Sequence, residues 1–212
     1  MLVAVFGDFP LGVVGLIMAG GRGTRMGSDI EKPLISTGGK TMLELVVEAL
    51  KGASGVERIV VATSCHTPRA REVAEKLGLE TLQTDGQDYV TDARQAIRRL
   101  VPRTVLVISA DLPLVSSHLL DEIIGYYAKC GKPSMKVVTL FQPHKSGDPK
   151  RSHSQKDRAW VRPVGINIID SRHINEPYID EAEFTISSPE LVLNVNTPED
   201  LERALRRKSV NA

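Results

Sequence analysis

Short runs of consecutive apolar residues alternate along this 212-residue chain with segments whose apolar positions recur every three or four residues. Unbroken runs suit strands buried on both faces of a parallel sheet, and 3.6-residue stripes suit helices packed against such a sheet. The runs Val13–Met18, Arg58–Thr63, Glu80–Gln83, Thr104–Ser109, Lys136–Phe141, Val164–Ile169 and Leu191–Val195 read as strands. Of these, Thr104–Ser109 is the most central, because Val105, Leu106, Val107 and Ile108 are all apolar. Thr41-Met42-Leu43-Glu44 has the form of a capping box and opens a helix with Leu43, Val46, Val47 and Leu50 on one face. Thr67-Pro68 reads as the N-cap and first residue of a helix that Gly78 closes. Tyr89, Ala93, Ala96, Ile97 and Leu100 form a third stripe, and Leu119, Leu120, Ile123, Ile124 and Tyr127 a fourth. Thr197-Pro198-Glu199-Asp200 caps a last helix ending in Arg206-Arg207-Lys208, whose charge suits a helix C-terminus. With no repeat or linker, this order predicts a single domain over residues 1–212. The fold class is α/β, a three-layer α/β/α sandwich with a mostly parallel, Rossmann-like sheet. Ligands of such sheets bind beyond the carboxyl ends of the strands.

Two stretches stand outside the alternation. Met1 to Gly20 holds one charge, Asp8, over a length sufficient to cross a bilayer. The first basic residue is Arg22, however, and Gly7-Asp8-Phe9-Pro10 interrupts the apolar run, which fits neither a signal peptide nor a membrane span. Residues 1–12 therefore read as an N-terminal extension leading into the first buried strand. The second stretch, Gln142 to Arg162, carries Lys145, Lys150, Arg151, Lys156, Arg158 and Arg162 against Asp148 and Asp157. It is expected to be a mobile basic loop that helps cover a phosphorylated substrate. Asp170 to Glu190 is acidic in turn, so the net charge of +1, from 27 Lys and Arg against 26 Asp and Glu, is a cancellation of opposed regions. No global positive field favours sequence-blind binding to nucleic acid, and 4% aromatic residues offer few stacking platforms. Cys65 and Cys130 are too few for a disulfide framework, which points to a cytoplasmic chain, with Cys65 expected as a small buried thiol. The five histidines show no metal-ligand spacing.

The strongest local signal is Leu16-Ile17-Met18-Ala19-Gly20-Gly21-Arg22-Gly23-Thr24-Arg25-Met26-Gly27, a strand running into a glycine-rich loop. Glycines allow backbone N–H groups to approach a polyphosphate closely, and Arg22 and Arg25 supply neutralising charge. The loop lacks the Gly-Lys-Ser/Thr of a P-loop and the downstream acid of a dinucleotide fingerprint. Glu31-Lys32-Pro33-Leu34 then places a lysine within reach of the same phosphates. Asp111 follows the central strand, where its carboxylate suits a divalent ion bridging to phosphate oxygens. Asn194 and Asn196, two positions apart, share a face if that segment is extended. Thr63, Ser64, Asp85 and Gly86 end the second and third strands and are weaker candidates for ribose and guanine, Asp85-Gly86 being equally a turn.

Taken together, the glycine loop, its arginines and Glu-Lys-Pro-Leu resemble the nucleotidyltransferases of the GT-A-like superfamily. Ala62-Thr63-Ser64-Cys65-His66-Thr67-Pro68, Ser109-Ala110-Asp111-Leu112, Pro163-Val164-Gly165-Ile166-Asn167 and Asn194-Val195-Asn196-Thr197-Pro198-Glu199-Asp200-Leu201 follow in the order and approximate spacing of the archaeal adenosylcobinamide-phosphate guanylyltransferases. The similarity spans about Leu16 to Leu205. Molybdenum cofactor guanylyltransferases share several of these pieces, and sugar-phosphate nucleotidyltransferases share the loop.

The resemblance implies GTP and adenosylcobinamide phosphate as substrates and Mg2+ as cofactor, with no nucleic-acid partner and no membrane span; a homodimer is compatible with it. It implies nucleotide contacts from Met18, Ala19, Gly20, Gly21, Arg22, Gly23, Thr24, Arg25, Gly27 and Lys32, with Asn194 and Asn196 near the phosphates. Arg25, Lys32 and Asp111 take the catalytic roles, Asp111 and Asn196 the metal, and Gly165 and Asn167 the acceptor. The alternatives are a molybdenum cofactor or sugar-phosphate transferase, or a GTP-binding regulator without turnover.

Overall fold

The computed structural model describes residues 12–27, 29–141, 160–187 and 192–210. Among these residues seven strands form one sheet in the order β3-β2-β1-β4-β6-β5-β7. They are β1 Val13–Met18, β2 Val56–Thr63, β3 Glu80–Gln83, β4 Thr104–Ser109, β5 Ser134–Phe141, β6 Trp160–Asp170 and β7 Glu181–Ile186. The helices are α1 Met42–Gly52, α2 Pro68–Lys76, α3 Tyr89–Arg98, α4 Ser117–Cys130 and α5 Pro198–Val210. Strands β1 to β4 run parallel, β6 alone is reversed, and β5 and β7 again point with β4. The expected mostly parallel α/β sheet is thus what the chain forms.

Burial follows the pleat. Val13, Ile17, Leu106 and Ile108 turn to one face, where α1 and α4 supply Leu43, Val46, Leu120 and Ile123. Val14, Leu16, Val105 and Val107 turn to the other, against Ala93, Ala96 and Ile97 of α3. A third cluster, Met26, Ile35, Met42, Val195 and Ala204, joins the glycine loop to α1 and α5. This cluster packs a loop of flexible composition against two helices. The Thr41 capping box forms with both of its hydrogen bonds, and the Thr41 amide and hydroxyl hold the Glu44 carboxyl below its ordinary range.

Three expectations about elements change. Glu181–Ile186 is a strand, although its acidic setting hides it; Ala182, Phe184 and Ile186 face the core while Glu181, Glu183 and Thr185 face water. Of the proposed strand Leu191–Val195, the described residues Val192–Val195 are not in a strand. Val192 to Asn196 passes across the ends of β4 and β6 with Val195 N donating to Asp111 O at 2.9 Å, and its apolar residues are buried in two different clusters rather than along a ladder. Trp160 to Arg162, assigned to the basic loop, belong to β6, paired with Thr139 to Phe141. The remainder of that loop, 142–159, and residues 1–11 of the extension lie outside the described residues. Cys65 is exposed rather than buried, because it sits on the turn between β2 and α2.

Candidate active site

The order β2-β1-β4 reverses the direction of chain progression at β1, so the segments after β1 and β4 part and leave a crevice between them. A cleft of about 360 Å³ fills that crevice. Met18 to Arg25 form one wall, Ser109, Ala110 and Asp111 the floor, and Gly86 to Tyr89 with Asp92 the opposite wall, closed by Lys32, Pro33 and Asn196. The sequence-derived residues Met18, Ala19, Gly20, Gly21, Arg22, Gly23, Thr24, Arg25, Lys32, Gly86, Asp111 and Asn196 therefore meet at one place.

Inside the glycine loop a short 3-10 turn, Thr24–Met26, is flanked by Gly23 and Gly27, with φ of 63° and 59°. Both need the left-handed region that glycine enters without penalty. At Gly23 a Cβ would also lie 2.9 Å from Lys32 Cβ, so the loop packs directly on the lysine turn. Ser64 secures its other end by donating to Gly20 O at 2.7 Å. Arg22 Nε donates to Nε2 of His66 at 3.1 Å.

The Lys32 side chain lines the cleft, is 16% exposed and donates to Asp111 Oδ2 and, at 2.9 Å, to Asn196 Oδ1. Arg25 donates to that same Asn196 oxygen at 3.0 Å, and Asn194 Nδ2 donates to Asp111 Oδ1 at 3.0 Å. Asn196 N and Thr197 N in turn donate to Asp200 Oδ2, each at 3.1 Å, which ties the amide segment to the start of α5. The two asparagines thus converge on one carboxylate–ammonium pair without belonging to a strand.

Gly165 and Asn167 are not among the lining residues of this cleft. Gly165 sits at a bulge in β6 with φ 79°, where a Cβ would lie 3.2 Å from Ser109 Cβ and 3.3 Å from Asn194 Nδ2. It lets β6 approach the amide that holds Asp111. Asn167 lies further down β6, opposite Val107.

Some of the sequence-derived residues do not line the cleft. Asp85 is exposed and off the cleft, its amide donating to Gln95 Oε1 at 3.0 Å. Gly27 is also off the cleft, and Thr63 and Ser64 are buried behind the glycine loop, 1% and 4% exposed. Asp92, by contrast, was missed. It is buried, lines the cleft and accepts from Gly86 N at 3.0 Å. Its signal was a polar residue on the inner side of the α3 stripe, three positions after Tyr89.

Glu31 was also missed as a working residue. Thr67 does not cap α2 with its hydroxyl, which accepts from Ser64 N at 3.2 Å. The first free N–H groups of α2, Arg69 N and Ala70 N, donate instead to Glu31 Oε1 at 2.9 Å and Oε2 at 2.7 Å. Glu31 thereby anchors the turn that carries Lys32. Glu31→Ala is expected to lower turnover about 10- to 100-fold by letting the lysine drift. The Glu31→Ala/Lys32→Ala double variant should be no slower than Lys32→Ala alone; additive losses would show that Glu31 acts elsewhere.

The arrangement suits polyphosphate chemistry: backbone N–H groups and three cations surround a cleft at strand ends, with two buried carboxylates, Asp111 and Asp92. The family model described as the MobA-like NTP transferase domain matches residues 15–150, from β1 through both sides of this cleft. The chain belongs to that family. This nucleotidyltransferase is 32% identical over 196 residues to the adenosylcobinamide-phosphate guanylyltransferase of Methanocaldococcus jannaschii, covering 89% of the chain and 94% of the relative. It is 27% identical over 201 residues to a probable molybdenum cofactor guanylyltransferase of Thermococcus kodakarensis, covering 90% and 93%. In fold, the transferase is similar to CMP:2-keto-3-deoxy-manno-octonic acid synthetase complexed with CTP, with a TM-score of 0.70 at 14% identity over 95% of this chain and 99% of the other. No helix among the described residues of the transferase is long and apolar enough to cross a membrane.

Proposed function

We propose that this nucleotidyltransferase moves GMP from GTP to the phosphate of adenosylcobinamide phosphate. The observation that carries the reading is the network of Arg25, Lys32, Asp111, Asn194 and Asn196 beside the glycine loop. It gathers two cations and a carboxylate where a triphosphate laid along the loop would present its α-phosphate. The likeness to the Methanocaldococcus jannaschii guanylyltransferase supports this acceptor over molybdopterin.

In this mechanism an oxygen of the acceptor phosphate attacks the α-phosphorus of GTP. A new phosphoanhydride forms, the bond to the bridging oxygen of the β-phosphate breaks, and pyrophosphate leaves. A phosphomonoester is largely ionised near neutral pH, its second pKa being about 6, so no general base is required. The protein's task is in-line alignment and charge placement. The glycine-loop N–H groups with Arg22 and Thr24 hold the β- and γ-phosphates, and Arg25 and Lys32 balance charge at the α-phosphate and the leaving group. Gly86, Gln87 and Asp92 receive the purine on the opposite wall.

Among the described residues no three His, Cys, Asp or Glu side chains converge on a metal position. One carboxylate, Asp111, would hold Mg2+, with the remaining ligands from phosphates and water, whereas the amide oxygen of Asn196 already accepts from Lys32 and Arg25. When bound, the ion would neutralise charge on the departing pyrophosphate.

The test is to incubate labelled GTP with adenosylcobinamide phosphate, molybdopterin and a set of sugar phosphates in parallel. The expected result is labelled adenosylcobinamide-GDP with stoichiometric pyrophosphate. Transfer to another acceptor alone would replace this assignment, and GTP binding without pyrophosphate release from any of them would make the protein a regulator.

A further inference from the structure

We propose that the apolar part of the phosphorylated acceptor docks in a second cleft, between α3 and the 174–179 segment, which shares Tyr89 as a wall with the nucleotide cleft. This rests on the acceptor reading above. The cleft measures about 380 Å³, at the small end of the range for small-molecule sites, so it takes an arm or edge of a large acceptor rather than the whole.

Three observations support it. Tyr89, Val90 and Tyr178 border this one cleft and are 42%, 64% and 78% exposed. Single exposed apolar side chains are ordinary, but several around one concavity mark a binding surface. The second observation is a polar group on the floor. Asn167 lies between the apolar Val107 and Ile169, and its side-chain amide makes no hydrogen bond to another described residue. An amide on the floor of a largely apolar cleft can fix the orientation of a ligand carrying amide or hydroxyl groups. The third is rigidity: Arg94 donates to Ile174 O and Arg98 to Asn175 Oδ1, each at 2.9 Å, bracing the 174–179 segment against α3.

Continuity with the chemistry runs through Tyr89. Its side chain borders both spaces, lining the nucleotide cleft with Asp111 and the second cleft with Asn167. An acceptor whose phosphate approaches Lys32 and Asp111, with the guanine wall filled, passes Tyr89 to place its body here.

The experiment compares Val90→Arg and Asn167→Leu with the wild-type protein, using adenosylcobinamide phosphate as acceptor and measuring GTP affinity separately. Both substitutions should raise KM for the acceptor about tenfold, leave kcat at saturation within about twofold and leave the Kd for GTP unchanged. Wild-type KM for the acceptor in both variants would overturn the cleft assignment while leaving the proposed reaction standing. A parallel loss of GTP affinity would also overturn it, since the effect would then act through α3 itself. No transfer by the wild-type protein would overturn the proposed reaction and take the cleft with it.

Discussion

Replacing Lys32 with alanine is expected to lower kcat for GMP transfer by about 10²- to 10³-fold, the usual loss when one preorganised cation or donor is withdrawn from a developing negative charge. The loss has two parts. The α-phosphate and leaving pyrophosphate lose a positive charge, and Asp111 loses the partner on Oδ2, keeping the Asn194 amide on Oδ1. An unneutralised carboxylate then faces an incoming triphosphate, so KM for GTP should rise as well. Folding should suffer by about 1–2 kcal/mol, less than for a sealed interior because both side chains border an open cleft. A purely solvated lysine would have cost almost nothing. Steady-state kinetics with a melting curve on the same preparation check both parts, and an unchanged kcat would remove Lys32 from the reaction.

Asp111→Asn should lower kcat to a similar extent, about 10²- to 10³-fold, but without the rise in KM for GTP expected of Lys32→Ala. The amide keeps the shape of the carboxylate and relieves its repulsion of the triphosphate, so ground-state binding holds or tightens. What disappears is the negative charge that positions the Lys32 ammonium and fits a divalent ion. The Mg2+ concentration giving half-maximal rate should therefore rise in this variant. If the rate falls with no change in that concentration, Asp111 serves only as the counterion of Lys32. The difference in KM distinguishes these two residues more cleanly than their rates do.

Most of this site was legible before any coordinates because its signals are local. Gly20, Gly21, Gly23, Arg25 and Lys32 lie within thirteen residues, and a strand leads directly into them. Asp111 was legible because the apolar run Val105–Ile108 of β4 precedes it. What escaped notice is what long-range pairing decides. Nothing near Glu31 announces that its carboxylate caps a helix starting at Pro68. The segment Leu191 to Val195 has strand composition, yet in its described part Val192 and Val195 serve two clusters and no described strand pairs with it. For β7 the alternation was present, but the glutamates on its outer face read as charge, not as half of a pleat. Asp85 and Asp92 show the same division: an acid beside a glycine looks functional in the sequence, while the acid that reaches the cleft sits on the turn of helix behind it.

The tether from Glu31 to α2 also bears on how the molecule assembles. A helix whose first free N–H groups are met by a carboxylate 38 and 39 positions earlier in the chain is not completed as a local element. Its opening turn and the lysine turn close in the same event. The amide protons of Arg69 and Ala70 therefore exchange with solvent at rates set by how often the lysine turn lifts away. Two backbone positions absent from the lining of the nucleotide cleft thus record the opening and closing of the site, and a spectrum of the free protein can read it without any ligand.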